Sequence, residues 1–195
     1  LPDTIMFNAG SKPIARGRRC VPPAPGTRPI LTSGSATWVP LTNFNGAPLP
    51  GAVVVTDANG VQSIDGRATP KLAPFLGTAF DRPEDLEMKT MGKDGRQMLF
   101  VATTTNHKVF AIDLARNKVN LFASRDTIDL ATGLPVGATF ANPDNLAIDA
   151  DGNMYIVEDQ PGGSADIWFA TDADREGVAE SIARWGALST EGAEP

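Results

Sequence analysis

Leu76-Gly77-Thr78-Ala79-Phe80-Asp81-Arg82-Pro83-Glu84-Asp85-Leu86 recurs without a gap, 60 residues later, as Val136-Gly137-Ala138-Thr139-Phe140-Ala141-Asn142-Pro143-Asp144-Asn145-Leu146. Both copies carry Gly, Phe, Pro, an acid, Asp or Asn, and Leu in the same order, and both run into apolar, strand-like segments. A period of this length marks one supersecondary unit laid down more than once. The acidic pair after each proline then occupies the same place in each unit, along one rim of a repeated β fold.

Outward from the phrases, short apolar runs alternate with turn residues. Before the first phrase, Ala52-Val53-Val54-Val55-Thr56 and Val61-Gln62-Ser63-Ile64 flank the turn Asp57-Ala58-Asn59-Gly60 and read as a hairpin. After it come strands around Met98–Thr103, Val109–Asp113 and Lys118–Phe122, a meander with short turns. After the second phrase the plan repeats, with strands at residues 146–149, 154–158 and 166–171 and a fourth at 182–188. The helical candidate, residues 174–184, is interrupted by Gly177. Four short antiparallel strands in series are the blades of a β-propeller. The fold class expected is therefore all-β, a partial propeller of about three blades over residues 51–195. Closed propellers have at least four blades, so another chain or segment is expected to complete the ring.

Residues 1–50 differ. Residues 1–42 hold seven of the sixteen prolines and the basic cluster Arg16, Arg18, Arg19, with little periodicity. They read as an extended, mostly irregular arm. The chain opens Leu1-Pro2-Asp3 without an initiator Met, and it is expected to be a processed chain or a piece of a longer one.

Bulk composition narrows the function classes. The 195 residues suffice for a sizeable core. Nineteen glycines and sixteen prolines favour turns over long helices. A formal charge of −6 offers nothing to the counterion release that drives nucleic-acid binding, and suits cations better. No apolar run reaches the roughly 18 residues of a membrane helix. The single cysteine, Cys20, excludes an intrachain disulfide.

The motifs resemble those of the PhoX-type alkaline phosphatases. Arg82-Pro83-Glu84-Asp85-Leu86-Glu87 is similar to the family's RPEDxE segment, and Asn142-Pro143-Asp144-Asn145-Leu146 with Asp149 and Gly152 to its NPDNLxxDxxG segment. Asp166-Ile167-Trp168 and Gly192-Ala193-Glu194-Pro195 resemble two later landmarks. The resemblance covers residues 76–195. It implies a β-propeller, a metal-dependent phosphomonoesterase using calcium and iron, a phosphate monoester as substrate, and export to the periplasm or cell exterior. Where the family carries Cys-Glu-Glu, this chain has Thr37-Trp38-Val39-Pro40. That departure keeps a second reading open, a non-catalytic propeller scaffold or interaction subunit with structural calcium or no metal. A lactonase-like propeller with one calcium is a third.

Glu84, Asp85 and Glu87 are the densest acidic group, on what reads as a proline-fixed loop. Hard cations such as Ca²⁺ take six to eight oxygens from clustered carboxylates, carbonyls and water. Asp144 and Asn145 are the equivalent pair. Glu158 ends a strand among apolar neighbours, where an uncompensated charge would be costly. With Glu194 added by the resemblance, the candidate metal ligands are Glu84, Asp85, Asp144, Glu158 and Glu194. Arg82 is the candidate catalytic residue, gripping phosphate with its planar fork of donors, or else paired with Glu84 or Asp85. Asp149 and Asp151 read as turn residues. His107 has no second His or Cys near it and reads as a surface turn residue. Trp38, Trp168 and Trp185 read as packing aromatics.

Overall fold

The computed structural model describes residues 5–10, 33–91, 95–160 and 165–187. Among them there is no α-helix; twelve β-strands account for the regular structure, with two short 3₁₀ turns at Thr69–Lys71 and Gly137–Thr139. The chain divides into two compact units, Leu1–Ala79 and Phe80–Pro195. The division falls within the first phrase, between Ala79 and Phe80.

In the first unit, β1 (Ile5–Gly10) pairs antiparallel with β2 (Gly34–Pro40), in register from Ile5 opposite Pro40 to Gly10 opposite Ser35. Within the expected irregular arm, residues 5–10 and 34–40 thus form a paired ribbon. The hairpin expected around Asp57-Ala58-Asn59-Gly60 is present as β3 (Val54–Thr56) and β4 (Gln62–Ile64). Asp57 closes it: its carboxylate accepts from the Asn59 and Val61 N–H groups at 2.8 and 2.9 Å, and Gly60 takes the positive φ that the turn needs. These two three-residue strands do not amount to a third four-stranded blade.

The second unit holds two antiparallel meanders. β5 (Pro83–Met91), β6 (Arg96–Thr103), β7 (Lys108–Asp113) and β8 (Lys118–Ala123) follow the first phrase. β9 (Pro143–Ile148), β10 (Met154–Glu158), β11 (Asp166–Thr171) and β12 (Ser181–Ala187) follow the second. Each phrase thus opens a four-strand unit, as the repeat requires, and each proline is the first strand residue. The acids after Pro83 and Pro143 lie in strands instead of the expected loop and turn. β5 was hidden because Glu84, Glu87 and Lys89 break the apolar signal of an edge strand, and charged residues are what edges carry. Among the described residues no sheet closes on itself. The helical candidate over 174–184, interrupted by Gly177, forms no helix: Arg175 and Gly177 adopt positive φ (60° and 77°), and β12 begins at Ser181.

The two meanders share one core. Met91, Met98, Phe100, Ala102, Val109, Ala111, Phe122 and Ala123 of the first face Leu146, Met154, Ile156, Trp168, Ala170 and Ile182 of the second, with Phe140 of the phrase between them. Edge-to-face ring pairs, Phe100 on Phe122 and Phe140 on Trp168, add to burial at centroid separations of 5.0 and 5.9 Å. Strand alternation explains the choice of residues: in β10 and β11, every second side chain is buried. Trp168 packs in the core as expected, whereas Trp185 stands 64 % exposed.

Candidate functional site

The phrases build two matching corners. Arg82 and Asn142, the residues before the prolines, both take left-handed backbone angles (φ 51° and 43°). The carbonyl of Arg82 accepts from the Thr104 N–H at 3.1 Å, and that of Asn142 from the Asp159 N–H at 2.9 Å. Pro83 pairs with Thr103 and Pro143 with Glu158, each next to a break in strand register. Strained backbone recurring at equivalent positions is specified by its surroundings, since each such residue costs on the order of 1 kcal/mol.

Three hydrogen bonds then fasten the second corner to the first meander. His107, in the β6–β7 turn, accepts through Nδ1 from the Asn142 N–H at 3.0 Å. The Thr104 hydroxyl donates to the Pro143 carbonyl at 3.0 Å. Asp85 Oδ2 accepts from the Leu146 N–H at 2.8 Å. His107 is therefore a positioning residue of the turn; burial, then the charge of Arg125, pushes its pKa down and favours the neutral ring that accepts.

This fastening brings four of the candidates, Arg82, Glu84, Asp85 and Asp144, to one end of β5 and β9, together with Asp159, which sequence reasoning did not single out. Arg82 Nε donates to Glu84 at 2.6 Å and its Nη2 to Asp159 at 3.0 Å. The hydrogen bond that it donates to Glu84 is the main reason the Arg82 pKa is raised. Asp144 has its pKa pushed up by burial, then by the negative charges of Glu84 and Asp159, against the opposing charge of Arg82. The rim thus sets four carboxylates against one guanidinium.

Glu158 faces the other way. Its buried carboxylate accepts from the Ala141 N–H (2.7 Å), the Trp168 indole (2.8 Å), the Asp166 N–H (3.2 Å) and the Gln160 amide (3.4 Å). Burial raises its pKa and these bonds pull it back. Four donors match the roughly four lone-pair positions of a carboxylate, so Glu158 works as the hydrogen-bonding hub between phrase, β10 and β11. Glu194 lies outside the described residues. Asp149 behaves as a turn residue, accepting from the Asn153 N–H and side-chain amide at 2.8 Å each.

A second acidic group sits in the β11–β12 connection. One carboxylate oxygen from each of Asp172, Asp174 and Glu180 lies within 4.8 Å of the others. Asp172 is buried, and accepts from the Glu176 and Gly177 N–H groups at 3.0 Å each. Burial, joined by Asp174 and the charge of Glu180, pushes its pKa up to about 6. Glu180 accepts from the Ala173 and Asp174 N–H groups. A cavity of about 170 Å³ lined by Lys89, Asp151, Asn153, Asp172 and Arg175 opens beside it. The sequence signal, Asp172-Ala173-Asp174 followed by Glu180, is not singled out by the sequence alone, because three acids spread over nine residues of a turn-rich segment have no recognised ligand spacing.

Comparison of the chain with protein-family models, with curated proteins and with solved structures returned no match.

Proposed function

We propose that this chain is a propeller-type scaffold unit that binds a divalent cation, calcium by its donor chemistry, and does not itself hydrolyse phosphate esters. The observation carrying this reading is that the would-be chemical groups are already spent on the fold. Arg82 is held by Glu84 and Asp159, and Glu158 is occupied by four protein donors. The repeat of two phrase-opened antiparallel meanders supports the propeller. The cation belongs at Asp172, Asp174 and Glu180, where three hard oxygen donors converge and a cation relieves the repulsion that helps raise the Asp172 pKa. An extracellular or periplasmic setting fits weak calcium binding, with dissociation constants of about 10⁻⁴–10⁻³ M. Calorimetric titration of calcium chloride into the purified chain at pH 7 tests it. Saturable binding in that range, lost in the double variant Asp174→Asn, Glu180→Gln, is the expected result; heats unchanged by the double substitution would refute the site.

The convergence of Arg82, Glu84, Asp85 and Asp144 on one rim favours a second reading, the PhoX-like phosphomonoesterase. There Glu84, Asp85 and Asp144 hold calcium or iron that neutralises phosphoryl oxygens, and Arg82 leaves its carboxylates to grip the ester. Chelator-sensitive hydrolysis of p-nitrophenyl phosphate, abolished by Arg82→Ala, would carry that reading over the first.

A further inference from the structure

Two cations line one cavity without an ion pair. Lys89 lies on the half-buried side of β5, two residues before the buried Met91. Its side chain crosses to the β9–β10 turn, where the ammonium donates to the Gly152 carbonyl. Gly152 admits it: a Cβ there would collide with Lys89 Nζ and Cε. An ammonium carries three N–H donors, and among the described residues this one has a single acceptor and no carboxylate at ion-pair distance. Arg175 stands in the β11–β12 connection at a φ of 60°, its backbone fixed by Arg96, whose Nη2 donates to the Arg175 carbonyl at 2.5 Å. Its guanidinium makes no hydrogen bond or ion pair among the described residues. Both cations line the cavity of about 170 Å³. Burial pushes the Lys89 pKa down; the charge of Asp172 opposes this and that of Arg175 adds to it. The two cations thus lie close enough to repel.

The carboxylates nearby do not answer them. Asp172 spends one oxygen on the Glu176 N–H and the other on the Gly177 N–H. Asp149 spends both on Asn153. Asp151 lines the cavity but is exposed and pairs with neither cation. An oxyanion placed between an ammonium and a planar guanidinium is attracted by both and receives charge-assisted hydrogen bonds from each. Volume decides its size: drug-sized ligands take pockets of about 300–1,000 Å³, and this cavity is smaller. The surrounding sign decides its charge. Asp151 and Asp172 line the same cavity, Asp174 and Glu180 crowd Asp172, and the whole chain carries −6. A dianion such as sulfate meets that field with two charges, a monocarboxylate with one.

We propose that Lys89 and Arg175 bind a small monocarboxylate in the cavity bounded by β5, the β9–β10 turn and the β11–β12 connection, Lys89 supplying a point charge and Arg175 a planar fork of donors. Neither residue is a ligand of the proposed calcium, so failure of the calcium titration leaves this site standing, and the reverse holds too. The test is an amide NMR titration of the full chain with sodium acetate, at constant ionic strength and with EGTA present, and with sodium sulfate in a parallel arm. Saturable shifts at the Gly152 amide and the Arg175 Nε–H, in the millimolar range, are the expected result. Arg175→Gln, which changes an exposed side chain that bonds to nothing in the fold, weakens the binding read at Gly152 about tenfold, the scale of one hydrogen bond to a charged group. Lys89→Gln does the same, and Asp151→Asn strengthens binding. Lys118→Gln, which removes an exposed cation on β8, leaves it unchanged. Shifts that do not saturate, or that persist undiminished in Arg175→Gln, overturn the proposal. Sulfate binding more tightly than acetate overturns the assignment to a monocarboxylate.

Discussion

Asp85 accepts a hydrogen bond from the Leu146 N–H at 2.8 Å, and Leu146 is the residue that follows Asp85's own counterpart, Asn145, in the second repeat. One repeat thus reads the next through a side chain at the repeated position. Asp85 also accepts from the Leu86 N–H at 2.8 Å, so its carboxylate joins the starts of both edge strands.

Asp85→Ala removes that joint and leaves the Leu146 N–H to find water. We expect unfolding free energy to fall by about 1–2 kcal/mol, the range for a hydrogen bond to a charged group that is partly solvated. Asp85→Asn keeps one acceptor oxygen and loses less than half of that. Urea denaturation of the three proteins checks it; an alanine variant as stable as the parent would show that the bond holds nothing.

Glu158 carries a larger share. Glu158→Ala orphans the Trp168 indole and the Asp166 N–H in the interior, as well as the Ala141 N–H that anchors the second phrase. Leaving buried donors unpaired costs about 1–3 kcal/mol apiece, so a total of roughly 3 kcal/mol or more is expected. Denaturation followed by tryptophan fluorescence reads both the loss and the change around Trp168. A cost below about 1 kcal/mol would mean that the carboxylate is not the hub of this corner.

The all-β class and nine of the twelve strands are legible in sequence, whereas β1, β2 and β5 are not. β6, β7, β10 and β11 were plain because Phe100, Phe110, Ile156 and Trp168 lie in short apolar runs bounded by turn residues. β5 was not, because an edge strand with Glu84, Glu87 and Lys89 carries the composition of a loop. The convergence of Arg82 with Glu84 was readable from their spacing, but Asp159 reaches the same guanidinium only through the pairing of β9 with β10. Nothing local distinguishes Glu158, aimed at the core, from Asp159, aimed at the rim; strand alternation decides it once the register is known. The Asp172, Asp174 and Glu180 group needs the β11–β12 connection to fold back on itself, and that depends on Arg175 and Gly177 taking positive φ.

Asp172 makes stability depend on pH in a defined direction. Its folded pKa of about 6 stands above the ordinary 3.8, so the folded chain holds a proton that the unfolded chain has released. The stabilisation is complete below about pH 3.8 and is lost as pH rises to about 6. A carboxyl-carbon NMR titration of Asp172 should give a midpoint near 6, and Glu180→Gln should lower it by removing a neighbouring negative charge. Calcium bound at the three carboxylates lowers it as well. A midpoint near 4 in the parent would contradict the crowding of the three groups.

Gly177 holds that connection against the core. Its φ of 77° is left-handed, and a Cβ there would meet Met98 Cε at 3.0 Å and Ala111 Cβ at 3.1 Å. Its N–H donates to Asp172, while the neighbouring Glu176 carbonyl accepts from the Asn120 side chain at 2.6 Å and Ala179 N–H donates to Phe122 O at 2.9 Å. Gly177→Ala therefore meets two separate penalties, about 1–2 kcal/mol for the left-handed backbone and a further cost for shifting Met98 in a packed interior. Gly60→Ala, with a similar φ of 80° but open space around it, bears only the first. The expected order of stability is parent, Gly60→Ala, then Gly177→Ala, separated by thermal unfolding. Equal losses in the two variants would show that the connection can lift from Met98 at no cost, and that the acidic group it carries is not held by the core.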